Sequence, residues 1–246
     1  TVSISAYGGA LGLDSINGTL SNSNFINNSA NLGGGVSWTG INGTIFNSTF
    51  SDNIASGHGG GVYWEGINGT LISSNFVNNT VTSGHGGGVS WTGINGTIFN
   101  STFTNNTVRY DGGAIIWYGP NGNLTDSTFT GNHANRNGGS VSWNAPNGSL
   151  TNCKFINNLA AQHGGGVFWE YRGVNGTLSD SNFINNSANL GGGVLWGGIN
   201  GILRDSNFTG NRANGLGGGL VWDDHSTNGT LSNSNFINNY ADQHGG

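Results

Sequence analysis

The chain has 246 residues, of which only 7% are charged, with a net charge of −5, 48 glycines and a single lysine, Lys154. Ordinary soluble domains carry about 25% charged residues, so a basic stripe for nucleic acid is excluded, and no apolar run approaches the ~20 residues of a membrane span. A Gly-, Asn- and Ser-rich composition alone would point to disorder, but apolar residues recur here in fixed columns, which a disordered chain has no reason to keep.

Residues 17–38, NGTLSNSNFINNSANLGGGVSW, set the unit, which returns eight more times at a period of about 26 residues. A period of this length means a solenoid or a propeller. Insertions fall at only two places, before the Gly-Gly pair and between Trp and the next Asn-Gly. Rigid pieces joined by elastic corners fit stacked β-rungs, because a rung tolerates a bulging loop but not a shifted strand. A four-strand propeller blade would need roughly 40 or more residues. The expected architecture is all-β, a parallel β-helix of about nine rungs, with residues 1–246 as one uninterrupted repeat domain.

Each rung opens on Asn-Gly, a turn signal because both residues tolerate positive φ. Thr-Leu or Thr-Ile follows, then a small residue and Phe, predicting one strand with an apolar face. The Phe column runs Phe25, Phe50, Phe76, Phe103, Phe129, Phe155, Phe183, Phe208 and Phe236. Three residues later stands an Asn column: Asn28, Asn53, Asn79, Asn106, Asn132, Asn158, Asn186, Asn211 and Asn239. Stacked at one strand spacing, roughly 4.8 Å, these amides can bond one another.

An Ala/Val column and a Gly-rich corner lead to a second strand ending in Trp38, Trp64, Trp91, Trp117, Trp143, Trp169, Trp196 or Trp222. Period-two alternation places the aliphatic residue and Trp on one face. The expected face is inward, giving a Trp stack beside the Phe stack; the rival is an outward aromatic stripe that grips sugars. A third short segment, usually Gly-Ile before Asn-Gly, is expected to close the rung. The lone Cys153 sits in a column otherwise occupied by Ser, and reads as a small buried residue.

The pairing of Phe-x-x-Asn with Gly-Gly and an aliphatic residue, as in Phe25-Ile26-Asn27-Asn28 with Gly33-Gly34-Gly35-Val36 and in Asp111-Gly112-Gly113-Ala114-Ile115, resembles the repeats of polymorphic outer-membrane proteins and adhesin-like surface proteins. The resemblance implies a right-handed parallel β-helix and an extracellular or cell-surface location. It carries no catalytic residue, because the shared motifs are scaffold. This chain departs from that pattern in its Trp in every rung, its Asn-Gly turn and its frequent third Gly.

Some parallel β-helices act on polysaccharides, and acid–base work on a glycoside needs two carboxylates roughly 5 to 10 Å apart. Two rungs carry insertions at one corner, residues 170–174 and 223–227, which bring Glu170, Arg172, Asp223, Asp224 and His225 into play. Two rungs correspond to about 10 Å along the axis, so this corner is the candidate binding patch. Solvated insertions also drift toward polar composition without any function. Asp180 and Asp205 share another column in adjacent rungs. His58, His85, His163 and His244 precede Gly-Gly and read as corner residues, with no zinc set to complete them. No phosphate-loop or nucleotide motif is present, and no cofactor or metal is expected.

Sequons at the turn, Asn17, Asn42, Asn68, Asn95, Asn147, Asn175 and Asn228, make a candidate glycosylation row, although an Asn- and Thr-rich repeat also generates sequons by accident. Residues 37–50 recur unchanged at 90–103, and sameness suits a spacer, fibre or adhesin better than an enzyme. The rung pattern runs to both ends of the sequence. A solenoid end without a polar cap exposes strand edges, so the expected partners are flanking repeats of a longer chain or another copy stacked end to end, with cell-surface glycans as further candidates.

Overall fold

The computed structural model describes residues 8–224 and 226–246. Among them the chain forms a parallel β-solenoid with four strands per rung. The strands of one rung are Thr19–Ser21, Asn24–Ile26, Ser29–Leu32 and Val36–Trp38. Equivalent strands of successive rungs pair in parallel, building four nine-stranded sheets that run along the rod. These are named here by their contents: the Leu, Phe, short and Trp sheets. Register is uninterrupted in the Leu, Phe and Trp sheets: Leu71 faces Ile45 and Ile98, Phe76 faces Phe50 and Phe103, and Trp91 faces Trp64 and Trp117.

Where one strand is expected from the Leu column through the Phe column, the chain forms two. The break lies at Asn22 and its equivalents, which take positive φ (49° at Asn22, 47° at Asn47, 51° at Asp126). A second positive-φ column follows five residues later, at Asn27, Asp52 and Asn78, and a third at Gly33, Gly59 and Gly86. With Asn17 and its equivalents, each rung turns at four left-handed residues. Asn, Asp and Gly dominate because they enter this region at least cost. The Gly-Ile segment expected to close the rung is a turn, and the Ala/Val strand of the short sheet is the fourth side.

The Asn-Gly turn also has a different cause from the one its sequence suggests. Only Asn takes positive φ. Its Gly is required by the neighbouring indole, since a Cβ on Gly96 would lie 2.1 Å from Trp91 Nε1.

Trp is inward. Trp38 through Trp196 are fully buried, with Trp222 half-buried in the last rungs. The indoles stack at centroid separations from 4.4 Å (Trp169–Trp196) to 5.4 Å (Trp196–Trp222). The Phe rings form a second stack, for example 4.7 Å between Phe50 and Phe76 with the planes 5° apart. Such separations and near-parallel planes are those of stacked aromatic pairs, which add stabilisation beyond burial. Ala55, Val81, Val108 and Ala134 make a separate small core behind the short sheet.

Polar columns are bonded as regularly as apolar ones are packed. Asn79 Oδ1 accepts from both N and Nδ2 of Asn53, at 3.1 and 3.0 Å. Asn79 Nδ2 donates to Asn106 Oδ1 at 2.9 Å and to the Phe50 carbonyl at 2.9 Å. The amide thus fills all four of its hydrogen-bonding positions while fully buried. The Ser column does the same on a smaller scale: Ser74 Oγ accepts from Ser48 N and donates to the Ile72 carbonyl. Cys153 is fully buried in this column, and burial pushes its thiol up to about 12.

Two substitutions test this packing. Trp91→Ala is expected to cost about 3 to 5 kcal/mol, as for other large buried aromatics. Gly96→Ala is expected to cost about 1 to 3 kcal/mol through overpacking, because Trp91 is held between Trp64 and Trp117 at 4.6 and 5.2 Å and has nowhere to go. Chemical denaturation of each variant, with circular dichroism to confirm the fold, measures both; an unchanged midpoint for Trp91→Ala would be incompatible with an inward stack.

Candidate functional site

The irregular face of this rod is the outside of the Trp sheet. Its central column is Ser37, Tyr63, Ser90, Ile116, Ser142, Phe168, Leu195 and Val221, the residues between the inward aliphatic and Trp positions. Several are buried although they point away from the core: Ser37 and Ser90 completely, Ile116, Ser142 and Leu195 nearly so. On one side runs the corner column before Gly-Gly, including His58, His85, Asp111, Asn137 and His163. On the other runs the residue after Trp, including Glu65, Tyr118, Asn144, Glu170 and Asp223. The strands therefore floor a trough with side chains along both walls.

A polar pocket of about 500 Å³ opens in this trough, lined on one wall by His85, Asp111 and Asn137, and on the other by Tyr118, Asn144 and Glu170. Asp111 is the buried charged residue of its lining. Arg136 grips it through Nε to Oδ1 at 2.9 Å and Nη2 to Oδ2 at 2.5 Å. The Asn137 backbone N–H adds a third bond at 3.2 Å. His85 Nδ1 lies 3.1 Å from Asp111 Oδ2, within ion-pair reach when the imidazole is protonated, but it lacks the alignment of a hydrogen bond. Burial alone would raise the Asp111 carboxyl; His85 and Arg136 together outweigh it and hold it below the usual carboxylate value. Burial, reinforced by the charges of Asp111 and Glu170, pushes the Tyr118 phenol up to about 12.

Glu170 and Asp223 occupy one column two rungs apart, as their spacing implies, but they line different spaces. Glu170 belongs to the polar pocket, where burial pushes its carboxyl up against the opposing effect of Arg172. Asp223 lines a neighbouring, mainly apolar cleft of about 570 Å³ with Phe168, Tyr171, Val174, Gly197 and Ile199. Phe168 and Tyr171 line both spaces. The Arg172 guanidinium sits 5.3 Å from the Tyr171 ring centre. Asp224 follows in the turn after Asp223, and His225 lies outside the described residues. Asp180 and Asp205 are at left-handed corners away from this trough, with Arg204 Nη1 2.6 Å from Asp205 Oδ2 and 4.0 Å from Asp180 Oδ2.

Asp111, Arg136, Asn137 and Asn144 do not stand out in the sequence by insertion, because their rungs have ordinary lengths. The available signal is column departure. In most rungs the Trp indole N–H donates to the carbonyl of the Gly two residues on, as from Trp91 to Gly93 at 3.1 Å. In the rung of the pocket Ala145 replaces that Gly, and Trp143 Nε1 has no partner among the described residues. A Cβ at this column meets backbone, at 1.9 Å for Gly119 against the Gly93 carbonyl, so Ala forces the turn to shift.

The family model described as a right-handed beta helix region matches residues 34–216, well over half of the chain. The chain belongs to the right-handed β-helix family. Neither a curated protein nor a solved structure matches it. The family holds enzymes and non-enzymes, so membership fixes the architecture of this β-helix and not an activity.

The Asn-Gly corner of this β-helix is itself a ladder. Asn42 Nδ2 donates to Asn17 Oδ1 at 2.9 Å, Asn68 to Asn42 at 3.0 Å and Asn95 to Asn68 at 3.0 Å. The same bond recurs at Asn147, Asn175 and Asn228. Glycans would stand one strand spacing, about 4.8 Å, apart, which is closer than branched sugars pack side by side. Any glycan at this corner is expected on no more than every second rung. Site-resolved mass mapping of native material checks this, and joint occupancy of Asn42 and Asn68 in one molecule would refute it.

Proposed function

We propose that this β-helix is an extracellular structural or adhesive repeat protein without catalytic activity, a rigid rod of low charge presented at a cell surface. The observation that carries the reading is the sameness of the rungs: the Leu, Phe and Trp columns keep one register through all described rungs, and residues 37–50 reappear unchanged at 90–103. Repetition lengthens a rod and multiplies weak contacts, whereas a catalyst needs one place unlike the rest. The resemblance of the Phe-x-x-Asn and Gly-Gly columns to polymorphic outer-membrane and adhesin-like repeats supports the same reading. Its partners are then flanking repeats or another copy stacked end to end, together with surface glycans.

A second reading is favoured by the trough, whose aromatic residues Tyr118, Phe168 and Tyr171 lie beside carboxylates: a β-helix that binds or cleaves carbohydrate at the Glu170/Asp223 corner. The two readings separate in one experiment. Wild type, Glu170→Ala and Asp223→Ala are incubated with a panel of oligosaccharides, and both binding and release of new reducing ends are followed. The structural reading expects no turnover by any of the three, with rods or fibres in electron micrographs of native material. Turnover by wild type that both substitutions abolish would overturn it in favour of the enzyme.

A further inference from the structure

The Asn-Gly corner holds seven of the sequons, and eight more lie elsewhere in the rungs. The state of the amide nitrogen separates them, because Nδ2 is the atom to which a glycan is joined. At the Asn-Gly corner that nitrogen is committed to the rung below: Asn68 donates to Asn42 Oδ1 and Asn95 to Asn68 Oδ1, both at 3.0 Å. Off that corner, Asn47 donates to Asn22 Oδ1 at 2.7 Å, Asn100 to Ser73 Oγ at 3.1 Å and Asn207 to Asn182 Oδ1 at 3.0 Å. Asn123 is half-buried in the Leu sheet between Thr97 and Ser149.

The remaining four, Asn27, Asn78, Asn105 and Asn185, stand exposed in the left-handed column between the Phe sheet and the short sheet. Asn78 donates to Asp52 Oδ1 at 3.3 Å, and Asn27 has the same Asp52 as its neighbour in the next rung. The side chains of Asn105 and Asn185 make no hydrogen bond among the described residues. In the rung after each of these two, and in no other described rung, the column holds Gly: Gly131 and Gly210, both with φ of 64°. A Cβ on Gly131 would lie 2.4 Å from Asn105 Oδ1, and one on Gly210 would lie 2.5 Å from Asn185 Oδ1. Apart from those amides, nothing else would stand within 4 Å of either Cβ. Each amide therefore leans over a glycine into open space, its Nδ2 unpartnered on an exposed corner. Elsewhere in the column a side chain one strand spacing away, about 4.8 Å, fills that space.

We propose that Asn105 and Asn185 are attachment sites for N-linked oligosaccharide, separate from the Asn-Gly row. The proposal rests on the extracellular reading of the chain. The sequons Asn105-Asn106-Thr107 and Asn185-Asn186-Ser187 supply the hydroxyl residue that marks an acceptor. In the transfer, Nδ2 bonds to the anomeric carbon of a lipid-diphosphate-linked saccharide. The bond from that carbon to the phosphate oxygen breaks, and the lipid diphosphate leaves with the bonding electrons. One Nδ2 proton passes to a base of the transferase, and the other N–H remains. Transfer precedes closure of the rung, because Asn106 and Asn186 are buried in the interior ladder once it has formed. The folded rod then has to house the product, and these two corners have the room. Three rungs, about 14 Å, separate the two glycans. Their corner borders the Phe and short sheets, so the trough outside the Trp sheet stays open.

The whole chain, secreted behind a supplied leader by cells that carry out N-glycosylation, tests the assignment. The leader removes any dependence on where the chain naturally resides, so failure here and failure of the extracellular reading are separate results. Peptide mapping after enzymatic glycan release in heavy-oxygen water, which converts each occupied Asn to labelled Asp, reads every sequon. The folded fraction is expected to carry glycan at Asn105 and Asn185 severalfold more often than at Asn68 and Asn100. Asn105→Gln and Asn185→Gln are each expected to remove one glycan mass and to leave the thermal midpoint of the glycan-free chain unchanged. Gly131→Asn, which restores the ordinary member of the column, is expected to lower occupancy of Asn105 in the folded fraction and to leave Asn185 as it was. Circular dichroism confirms that each variant is folded, and the two Gln variants remain informative if Gly131→Asn unfolds. Absence of glycan from both sites, occupancy no higher than at Asn68 and Asn100, or unchanged Asn105 occupancy in folded Gly131→Asn would each overturn the proposal.

Discussion

In a parallel, in-register solenoid the nearest neighbour of almost every side chain is the residue in the same column one rung away. A residue type is therefore accepted in a column only if it packs on, or bonds to, a copy of itself about 4.8 Å distant. Phe and Trp meet the condition as flat rings. Asn and Ser meet it because each carries both a donor and an acceptor, so a column of them closes into a ladder such as Asn53–Asn79–Asn106. Glycine meets it where backbones nearly touch. Like charges do not, since stacked carboxylates or ammoniums repel. Self-compatibility thus accounts for the 7% charged residues and for the richness in Gly, Asn and Ser in a chain that nevertheless has a full core.

The same constraint explains which parts of the fold are readable from residues alone. Columns such as Phe103 and Trp91 are legible because self-stacking writes one residue type at a fixed interval, and alternation around Val89-Ser90-Trp91 gives their inward direction. The corners at Asn22 and Asn27 are less legible. Asn is abundant throughout the unit, and only the backbone shows that these residues are left-handed while their neighbours Ser23 and Asn28 hold interior ladders. The Gly of Asn-Gly shows how a correct signal can have another cause: the turn is real, yet that Gly answers to the edge of the indole rather than to its own φ.

The candidate site is legible where it breaks length and hidden where it breaks only chemistry. Glu170 and Asp223 draw notice through their insertions, and the structure places them along one wall of a trough but in separate recesses. Asp111, Asn137 and Asn144 replace ordinary members of full-length rungs, so nothing in the spacing marks them. Their significance comes from what the adjacent rung sets beside them: the guanidinium of Arg136 on Asp111, and Glu170 next to Asn144 in the stack. Ala145 shows how a single methyl disturbs such an arrangement, leaving the indole N–H of Trp143 without the carbonyl used in neighbouring rungs.

The direction of the hydrogen bonds has a mechanical consequence. The inter-rung bonds run along the rod, so tension applied to the two chain ends passes through every rung boundary but is concentrated at the outermost ones, where the leaving chain loads a few bonds at a time. One such boundary gives way, about 26 residues are released, and the next is loaded in turn. A rung that occupied about 4.8 Å of axis becomes up to about 90 Å of extended chain. Because the rungs are near copies, successive boundaries yield at similar force. Under load such a rod is expected to lengthen one turn at a time, with each rung left in place offering its strand edges as the template on which the released turn can pair again.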